Sequence, residues 1–424
     1  MLYCQWSDKD GALSQADLKK FLYKAFDDLG TRKKVLAIPP DYTRFHSFAG
    51  KITEHTWEYY AESLEDILPA LGTHSPMTEP QIRSMFGRTP SDLFRVHNWR
   101  RDLLTLGTVP SEYIQEVSES KLNYCWPAQV NKILVEGGYD LILSIGQVVP
   151  HEVIGMANHN KNIFVGTGGE EGINKSHFLG AVYGMERIMG RARSPVRDVL
   201  NYASRNFGKD LPIVYVQTVV GKDDEGKLCI KGLFIGDDEE CFEKAAELSL
   251  EVNFTMLEEP LKKVVVYLDP GEFKSTWLGD KSIYRTRMAI ADGGELIILA
   301  PGLKEFGEDP EIDRLIRKYG YRTTEEILEF TENNKELQEN LSAAAHLIHG
   351  SSENRFRVIY CPGNLSRQEI EGVNYEYADI KEMSELYDHK SLTDGFNTVN
   401  GEKIFFISNP ALGLWSTKER FKSK

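Results

Sequence analysis

The sequence predicts an α/β protein of two domains, each with a mainly parallel sheet flanked by helices. Short apolar runs of the buried-strand type recur along the chain, polar turns follow them, and helical patterns lie between them. Alternating strands and helices favour parallel sheets, in which the loops that follow the strands gather at one edge. We expect the active site at such an edge, in the cleft between the two domains.

The first helix is predicted to begin after Ser14 and to end at Gly30. Ser14 and Asp17 resemble the start of a capped helix, and glycine is a common helix stop. Between them lies one apolar stripe with helical spacing, formed by Leu18, Leu22, Ala25, Phe26 and Leu29. The pattern therefore indicates an amphipathic helix.

A strand followed by a polar turn is the recurring pattern of the first half of the chain. It occurs at residues 35–47, 66–77, 139–152 and 162–172, and a helix is predicted over 78–86. In a parallel sheet the turns after the strands lie at the carboxyl ends, where ligands usually bind. The turns of the first half are therefore the first place to look for a site.

The predicted N-terminal domain spans residues 1–260, and a smaller C-terminal domain spans 261–410. The second domain repeats the strand-then-turn pattern near 262 and contains strongly helical sequence over 305–349. Its further strands are predicted within 295–302, 357–363 and 403–410. The last residues, about 15, could return to the first domain, as chain termini often lie near one another.

Composition excludes several classes of function. The 424 residues are 41% hydrophobic and carry a formal net charge of −14, which argues against nucleic acid or an anionic membrane as partner. We see no signal peptide and no apolar run near the roughly 20 residues of a membrane span, so a cytoplasmic protein is expected. No GxGxxG or Walker sequence occurs, which counts against an ordinary dinucleotide or ATP site.

The segment from Gly146 to His177 concentrates residues with useful chemistry. It contains His151, Lys161 and His177 among several glycines, and His74 follows an earlier strand. A single histidine is more often a structural residue than a functional one. A lysine beside a strand is more often a solvent-exposed residue at the strand end than a reactive one. A lysine among apolar residues and other cations can instead become a nucleophile.

A glycine turn, GTGG at 166–169, precedes a helical pattern in the same segment. Successive backbone N–H groups in such a turn can bind a phosphate, although glycine turns are common. The residues alone thus indicate an enzyme with a His/Lys site and a bound anion, and a metal is compatible with them.

Together, these motifs resemble the signature of the nickel-pincer-nucleotide lactate racemase family. The matching elements are DYTR at 41–44, GTH at 72–74, GQVVPHE at 146–152, Lys161 and His177. They appear in order and with consistent spacing over most of the first 180 residues, which is more specific than any one motif. The carboxyl-terminal half resembles the second domain of the family more loosely.

The resemblance implies a cofactor made by dedicated maturation proteins. It is a mononucleotide whose pyridinium ring bears two sulfur-containing arms and holds nickel. Lys161 would form the covalent tether and His177 would be the protein ligand to nickel, in a planar geometry that suits Ni(II) better than zinc. The nucleotide would be bound by Asp41, Thr43, Gly166, Gly168 and Gly169.

The resemblance also implies racemisation or 2-epimerisation of a 2-hydroxy acid by reversible hydride transfer to the pincer. His74 and His151 would act as acid and base on opposite faces of the substrate. An unperturbed imidazole pKa near 6.5 suits this dual role. Arg44 would bind the substrate carboxylate, for which a planar guanidinium is well matched.

The chain departs from the lactate-specific pattern in the second domain. There the family typically has a Tyr-Gln pair followed by lysine, whereas this chain has YRTRM, with Tyr284, Arg285, Arg287 and, at the lysine position, Met288. Arginines are usually surface residues of a helix, but here they could bind a second carboxylate or a polyhydroxy chain. We therefore expect a substrate larger or more polar than lactate, such as a 2-hydroxy dicarboxylate or an aldonic acid.

Two other classes of function remain open. An NAD-dependent 2-hydroxy-acid dehydrogenase would share the substrate and hydride transfer, but it should have the missing glycine fingerprint. A zinc-binding or non-catalytic protein could use the same histidines. Nickel content and a test for NAD reduction would separate the three.

Overall fold

The computed structural model of the protein describes residues 1–411 and 413–422. The chain folds into two units, of which the first comprises residues 1–179 and 188–253 and the second comprises 180–187 and the chain from 254 onward. The domain boundary near 260 and the return of the last residues to the first domain stay predictions. In the structure, residues 413–422 belong to the second unit.

The strands alternate with helices for most of the chain. The strands are β1 (Leu2–Ser7), β2 (Val35–Ile38), β3 (Leu64–Ile67), β4 (Leu103–Val109), β5 (Trp126–Asn131), β6 (Leu141–Gln147), β7 (Pro150–His151), β8 (Gly155–Met156), β9 (Ile213–Lys222), β10 (Leu228–Gly236), β11 (Phe254–Leu257), β12 (Leu261–Tyr267), β13 (Ile290–Ala300), β14 (Arg357–Pro362), β15 (Glu376–Tyr377), β16 (Gly395–Val399), β17 (Glu402–Ile407) and β18 (Leu414–Thr417).

The α-helices are α1 (Gln15–Leu29), α2 (Ala49–Tyr60), α3 (Glu79–Phe86), α4 (Ser111–Val117), α5 (Ile133–Glu136), α6 (Glu170–Tyr183), α7 (Met185–Ile188), α8 (Pro195–Phe207), α9 (Glu239–Asn253), α10 (Thr276–Gly279), α11 (Lys281–Thr286), α12 (Pro310–Tyr319), α13 (Thr324–Asn333), α14 (Lys335–Glu339), α15 (Leu341–His349), α16 (Arg367–Gly372), α17 (Ile380–Leu386) and α18 (Lys418–Lys422). Short 3₁₀ helices lie at Tyr42–Ser47, Ala61–Ser63 and Ser91–Leu93, and a π-helix at Asn162–Gly166. None of the helices in the described residues has the length and apolarity to cross a membrane.

The first unit contains a six-stranded sheet in the order β1-β10-β9-β6-β2-β3. The four strands β9, β6, β2 and β3 run parallel, whereas β1, β10 and β9 pair antiparallel. The strands predicted to carry the site, β2, β3 and β6, are therefore neighbours in the parallel part.

Both faces of this sheet are buried, as expected for parallel strands covered by helices. On β2, Val35 and Ala37 pack in one core with the apolar stripe of α1, while Leu36 and Ile38 pack in a second core on the opposite face. The predicted helix is confirmed, since the Ser14 side chain accepts a hydrogen bond from the Asp17 amide and α1 ends at Gly30. Burial of each large apolar side chain contributes about 1.5–3 kcal/mol, so the two cores hold the site strands firmly.

The second unit contains a six-stranded sheet in the order β15-β14-β13-β12-β17-β16. All neighbouring pairs are parallel except β16 with β17. Helices α12 to α15 form the predicted helical insertion between β13 and β14. Parallel-rich sheets flanked by helices confirm the predicted fold class.

The strand predicted at residues 162–172 is wrong. Asn162–Gly166 forms a π-helix, and α6 begins at Glu170. The run IFV is apolar and contains two β-branched residues, and a short buried run of this kind has the same pattern in a strand and in a helix. Side chains 163–166 are buried, which satisfies the apolar pattern without a strand.

Candidate active site

Three loops that follow neighbouring parallel strands carry the predicted polar residues of the first unit. Asp41, Thr43 and Arg44 follow β2, His74 follows β3, and His151 follows β6. Because β6, β2 and β3 are adjacent and parallel, these loops leave the sheet at the same edge. The sheet topology thus brings together residues that are up to 110 positions apart in the sequence.

Asp41 joins two of these loops. One carboxylate oxygen accepts hydrogen bonds from the amide and hydroxyl of Thr43, at 3.2 and 2.6 Å, and thereby caps the 3₁₀ helix that begins at Tyr42. The other oxygen lies 2.6 Å from Nδ1 of His74. Burial would raise the pKa of Asp41, but His74, Thr43 and Arg44 together bring the pKa below its usual value.

An ionised Asp41 can only accept a hydrogen bond, so His74 donates through Nδ1. The lone pair of the neutral ring then lies on Nε2. The side chain of His74 is 40% exposed, whereas that of Asp41 is only 7% exposed. The pair therefore presents a basic imidazole nitrogen supported by a buried carboxylate.

In His151 the two ring nitrogens have the reverse of their roles in His74. It is buried on the short β7–β8 hairpin, and its Nδ1 lies 3.1 Å from the Val153 amide, which can only donate. In the neutral ring the proton is therefore on Nε2. A carboxylate oxygen of Glu152 lies 3.8 Å from the same Nδ1.

Lys161 lies at the start of the π-helix, with right-handed helical backbone. Burial lowers the pKa of Lys161 to about 8, and the charges of the nearby Arg44 and Arg197 also lower it. The carboxylates of Glu152 and Asp41 raise the pKa but do not offset these effects. A substantial fraction of the amine is thus neutral near pH 8, which is the nucleophilic form.

His177 lies on α6, where its Nδ1 is 2.7 Å from the Ile173 carbonyl one turn earlier. Because that carbonyl can only accept, Nδ1 carries the proton and Nε2 keeps its lone pair for a ligand. Burial lowers the pKa of His177 to about 4, and the charge of Lys161 also lowers it. The ring is therefore neutral at physiological pH, as a metal ligand must be.

These residues form one electrostatic cluster. The pKa values of Lys161 and His177 both respond to Glu152, and that of His177 also responds to His74. In the part of the chain that the structure describes, no group of three or more His, Cys, Asp or Glu side chains is arranged to hold a metal ion. Arg44 has no carboxylate within ion-pair distance among residues 1–411 and 413–422, so its guanidinium is available to a carboxylate ligand.

The GTGG turn is explained by packing. A Cβ at Gly166, Gly168 or Gly169 would come within 3 Å of Ala70, Phe164 or Gln129. The amides of Thr167 and Gly168 already donate to the carbonyls of Asn162 and Val165. The glycines permit the close turn between the π-helix and α6, and their contact with a phosphate stays a prediction.

The predicted substrate residues of the second unit lie on and just after α11, and all three are buried. The Tyr284 hydroxyl is 2.8 Å from Nδ1 of His346. Arg287 donates to Glu186 at 3.0 Å, so this guanidinium is committed to a buried ion pair. Arg285 is 1% exposed, and Met288 forms a backbone bridge with Ser416.

Two residues of the site were missed in the sequence. Glu152 directly follows His151 and could have been found as a carboxylate beside a candidate base. Arg197 lies on α8 and is 2% exposed, although a helix arginine is normally a surface residue. Its sequence neighbourhood gave no signal, because its partners are contributed by a distant loop.

Comparison with known proteins agrees with this arrangement. The family model described as the lactate racemase N-terminal domain matches residues 17–188, which include all the site residues of the first unit that the sequence predicted. Residues 17–188 are therefore similar to the N-terminal domain of lactate racemases.

Solved structures extend the similarity to both sheets of the chain. A crystal structure of a Thermotoga maritima protein is 25% identical, covers 96% of this chain and 100% of its own, and has a TM-score of 0.82. The lactate racemase apoprotein from Thermoanaerobacterium thermosaccharolyticum is 19% identical, covers 96% of this chain and 93% of its own, and has a TM-score of 0.70. At this identity the second likeness shows the fold. No curated protein matches the chain.

Proposed function

We propose that this protein is a member of the lactate racemase family and a racemase or 2-epimerase of a 2-hydroxy acid. It would hold a nickel-pincer nucleotide through a covalent bond to Lys161 and a nickel bond from His177. The observation that carries the proposal is the chemistry of this pair. A lysine with a lowered pKa and a neutral histidine with an available Nε2 lie in one cluster.

The residues fit this cofactor. A tether requires a neutral amine, which burial provides at Lys161. A pincer that supplies its own donor atoms to nickel leaves one ligand for the protein to provide. His177 can provide it, because its neutral ring has a lone pair on Nε2. When bound, the cofactor supplies a reversible acceptor for the C2 hydride of the substrate.

The protein would supply binding and proton transfer. Arg44 would bind the substrate carboxylate. Nε2 of His74 would accept the hydroxyl proton while Asp41 holds Nδ1–H and balances the imidazolium charge. Asp41 would thus be engaged with His74. The exposed Thr43 is therefore the better candidate for a contact with the nucleotide.

His151 would first donate a hydrogen bond from Nε2 to the substrate oxygen. To return a proton it must first take one up from solvent at Nδ1 and become an imidazolium, and Nδ1–H then needs an acceptor in place of the Val153 amide. The Glu152 carboxylate at 3.8 Å can provide that acceptor after a small side-chain rotation. Each histidine would then have its own carboxylate, as exchange of acid and base roles requires.

The substrate is proposed to be larger or more polar than lactate, on the basis of the YRTRM sequence. Since Arg287 is paired with Glu186, Arg285 and Tyr284 are the better candidates for the extra substrate groups.

The decisive experiment is co-expression with the pincer-nucleotide maturation proteins, followed by intact-protein mass and nickel analysis. We expect one added cofactor and about one nickel per chain, and loss of the adduct in Lys161→Ala but not in the surface control Lys132→Ala. A wild-type protein without an adduct would contradict the proposal.

The loaded protein would then be screened against short and long 2-hydroxy acids by chiral chromatography. In D₂O, a reaction that transfers hydride keeps the C2 hydrogen, whereas proton abstraction from C2 would introduce deuterium. Deuterium at C2 would therefore reject hydride transfer, and NAD reduction would favour the dehydrogenase alternative.

A further inference from the structure

Arg197 is buried without a carboxylate partner. It is 2% exposed, and no carboxylate lies within ion-pair distance of it in the described part of the chain. Its guanidinium donates instead to the carbonyls of Met156 and Asn158 and to the side-chain oxygen of Asn160, and it lies 4.1 Å over the ring of Phe242. A buried cation is costly, so neutral packing alone would favour an apolar residue at this position.

All of these hydrogen-bond acceptors belong to residues 156–160, which lead directly into Lys161. Within this segment Asn158 and His159 both have left-handed backbone, with φ of 72° and 58°. Two consecutive non-glycine residues in this region are strained and persist only when their surroundings fix them. The side-chain amide of Asn158 is buried and has no hydrogen-bond partner among the described residues, so it does not fix the segment itself.

The surroundings fix the segment in two ways. The ring of His159 lies between Tyr215 and Phe242, at 3.9 and 5.3 Å between ring centroids. Arg197 holds the Met156 carbonyl, which precedes the left-handed turn, and the Asn158 carbonyl, which lies within it. The side-chain amide of Asn160 adds a link to Asn201 on the same helix as Arg197.

We propose that Arg197 is a positioning residue that holds segment 156–160 in its left-handed conformation and thereby directs the Lys161 side chain toward the cofactor. This inference rests on the proposed function, because it assigns Arg197 to the tethering of the cofactor. Arg197 does not contact the cofactor in this role and acts through the backbone that precedes Lys161.

The test compares wild type, Arg197→Met, Arg197→Lys and the control Arg193→Met after co-expression with the maturation proteins. Arg193 precedes the same helix but is 85% exposed and pairs with Glu243 on the surface. Two quantities are measured: amide hydrogen exchange of the 156–166 peptide relative to β9, and the fraction of protein with the Lys161 adduct.

In Arg197→Met we expect exchange of the 156–166 peptide to rise at least about tenfold while that of β9 stays unchanged. The adduct should fall at least about tenfold, and Arg197→Lys should recover part of both, because a single ammonium can hold fewer carbonyls. Arg193→Met should match wild type.

Wild-type exchange and wild-type adduct in Arg197→Met would overturn the inference while leaving the proposed function intact. No adduct in the wild type would reject the proposed function, and the inference with it. If Arg197→Met does not fold, Asn160→Ala removes one acceptor and keeps the guanidinium. Faster exchange confined to 156–166 together with a lower adduct would support the inference, and wild-type values of both would overturn it.

Discussion

Nδ1 of His74 lies 2.6 Å from Oδ2 of Asp41, and this hydrogen bond determines which nitrogen of the imidazole can accept a proton. The carboxylate is buried and its pKa is lowered, so it remains ionised at neutral pH. It fixes the His74 tautomer with a basic Nε2 and stabilises the imidazolium that forms when the proton arrives. His74 therefore depends on Asp41 for both its orientation and its tautomer.

Asp41→Asn should lower kcat by about 10²–10⁴-fold, the usual range for loss of general acid–base catalysis. The neutral amide can bond to either form of Nδ1 and no longer stabilises the imidazolium. The measurement is steady-state kcat on the best substrate of the loaded enzyme. In a His74→Ala background the same change should cost little, since both residues act as one unit. An equal loss of kcat in the wild-type and His74→Ala backgrounds would show that Asp41 does not act through His74.

Glu152→Gln should impair the step in which His151 donates a proton. Without the carboxylate, the imidazolium of His151 loses its acceptor, and the alkaline limb of the pH–rate profile should move to lower pH. The equilibrium constant fixes the ratio of kcat/KM in the two directions, so both must fall by the same factor, about 10²-fold. Cofactor adduct and nickel content are the controls and should be unchanged. A profile like that of wild type would remove Glu152 from the mechanism.

The lowered pKa of Lys161 has a consequence for stability. The folded protein disfavours the charged amine, so Lys161 binds its proton more weakly in the folded state than in the unfolded state. This destabilisation is fully present below pH 8 and disappears as the pH rises from about 8 through the unfolded pKa of 10.5. Lys161→Met should therefore unfold at higher urea concentration than wild-type apoprotein at pH 7. This difference in the urea concentration of unfolding should shrink as the pH approaches 10. A difference that does not change with pH would contradict the prediction.

The roles of Lys161 and His177 can be separated by substitution. His177→Ala should retain the covalent adduct in the intact mass, because the proposed tether is formed by Lys161. It should lose most of its nickel, because it removes the proposed protein ligand. Mass spectrometry and metal analysis of the same sample measure both properties. Full nickel content in His177→Ala would mean that another group holds the metal.

The sequence located much of the site because the relevant residues follow strands whose apolar patterns are strong. Once β2, β3 and β6 were recognised, the geometry of a parallel sheet brought Asp41, His74 and His151 to one edge. The π-helix could not be predicted, since its apolar run has the same composition as a buried strand.

The sequence also did not indicate which distant residues pair with one another in the folded protein. Asp41 contacts His74, which is 33 residues away, and its predicted contact with the nucleotide stays a prediction. Arg287 pairs with Glu186, which is 101 residues away, and its predicted contact with substrate stays a prediction. Contacts of this kind depend on how loops pack in three dimensions, which local patterns do not record.

The two arginines of the YRTRM sequence should therefore behave differently. Arg287 and Glu186 form an ion pair whose side chains are only 7% and 10% exposed. Arg287→Met should remove one partner of the buried Glu186 carboxylate, which also pairs with Arg355, and lower the free energy of unfolding by about 3 kcal/mol. Its ratio of activities on different 2-hydroxy acids should remain that of wild type. Urea unfolding and the substrate screen check the two expectations.

Arg285→Gln places at 285 the residue that is typical of the lactate-specific sequence. If Arg285 binds an additional carboxylate or hydroxyl of a larger substrate, the change should reduce kcat/KM for that substrate more than for lactate. Loss of one charge-assisted hydrogen bond would change the ratio by about tenfold or more. The measurement is kcat/KM for lactate and for a 2-hydroxy dicarboxylate in wild type, Arg285→Gln and Arg287→Met. An unchanged ratio in Arg285→Gln, or an equal change in Arg287→Met, would show that Arg285 does not select the substrate.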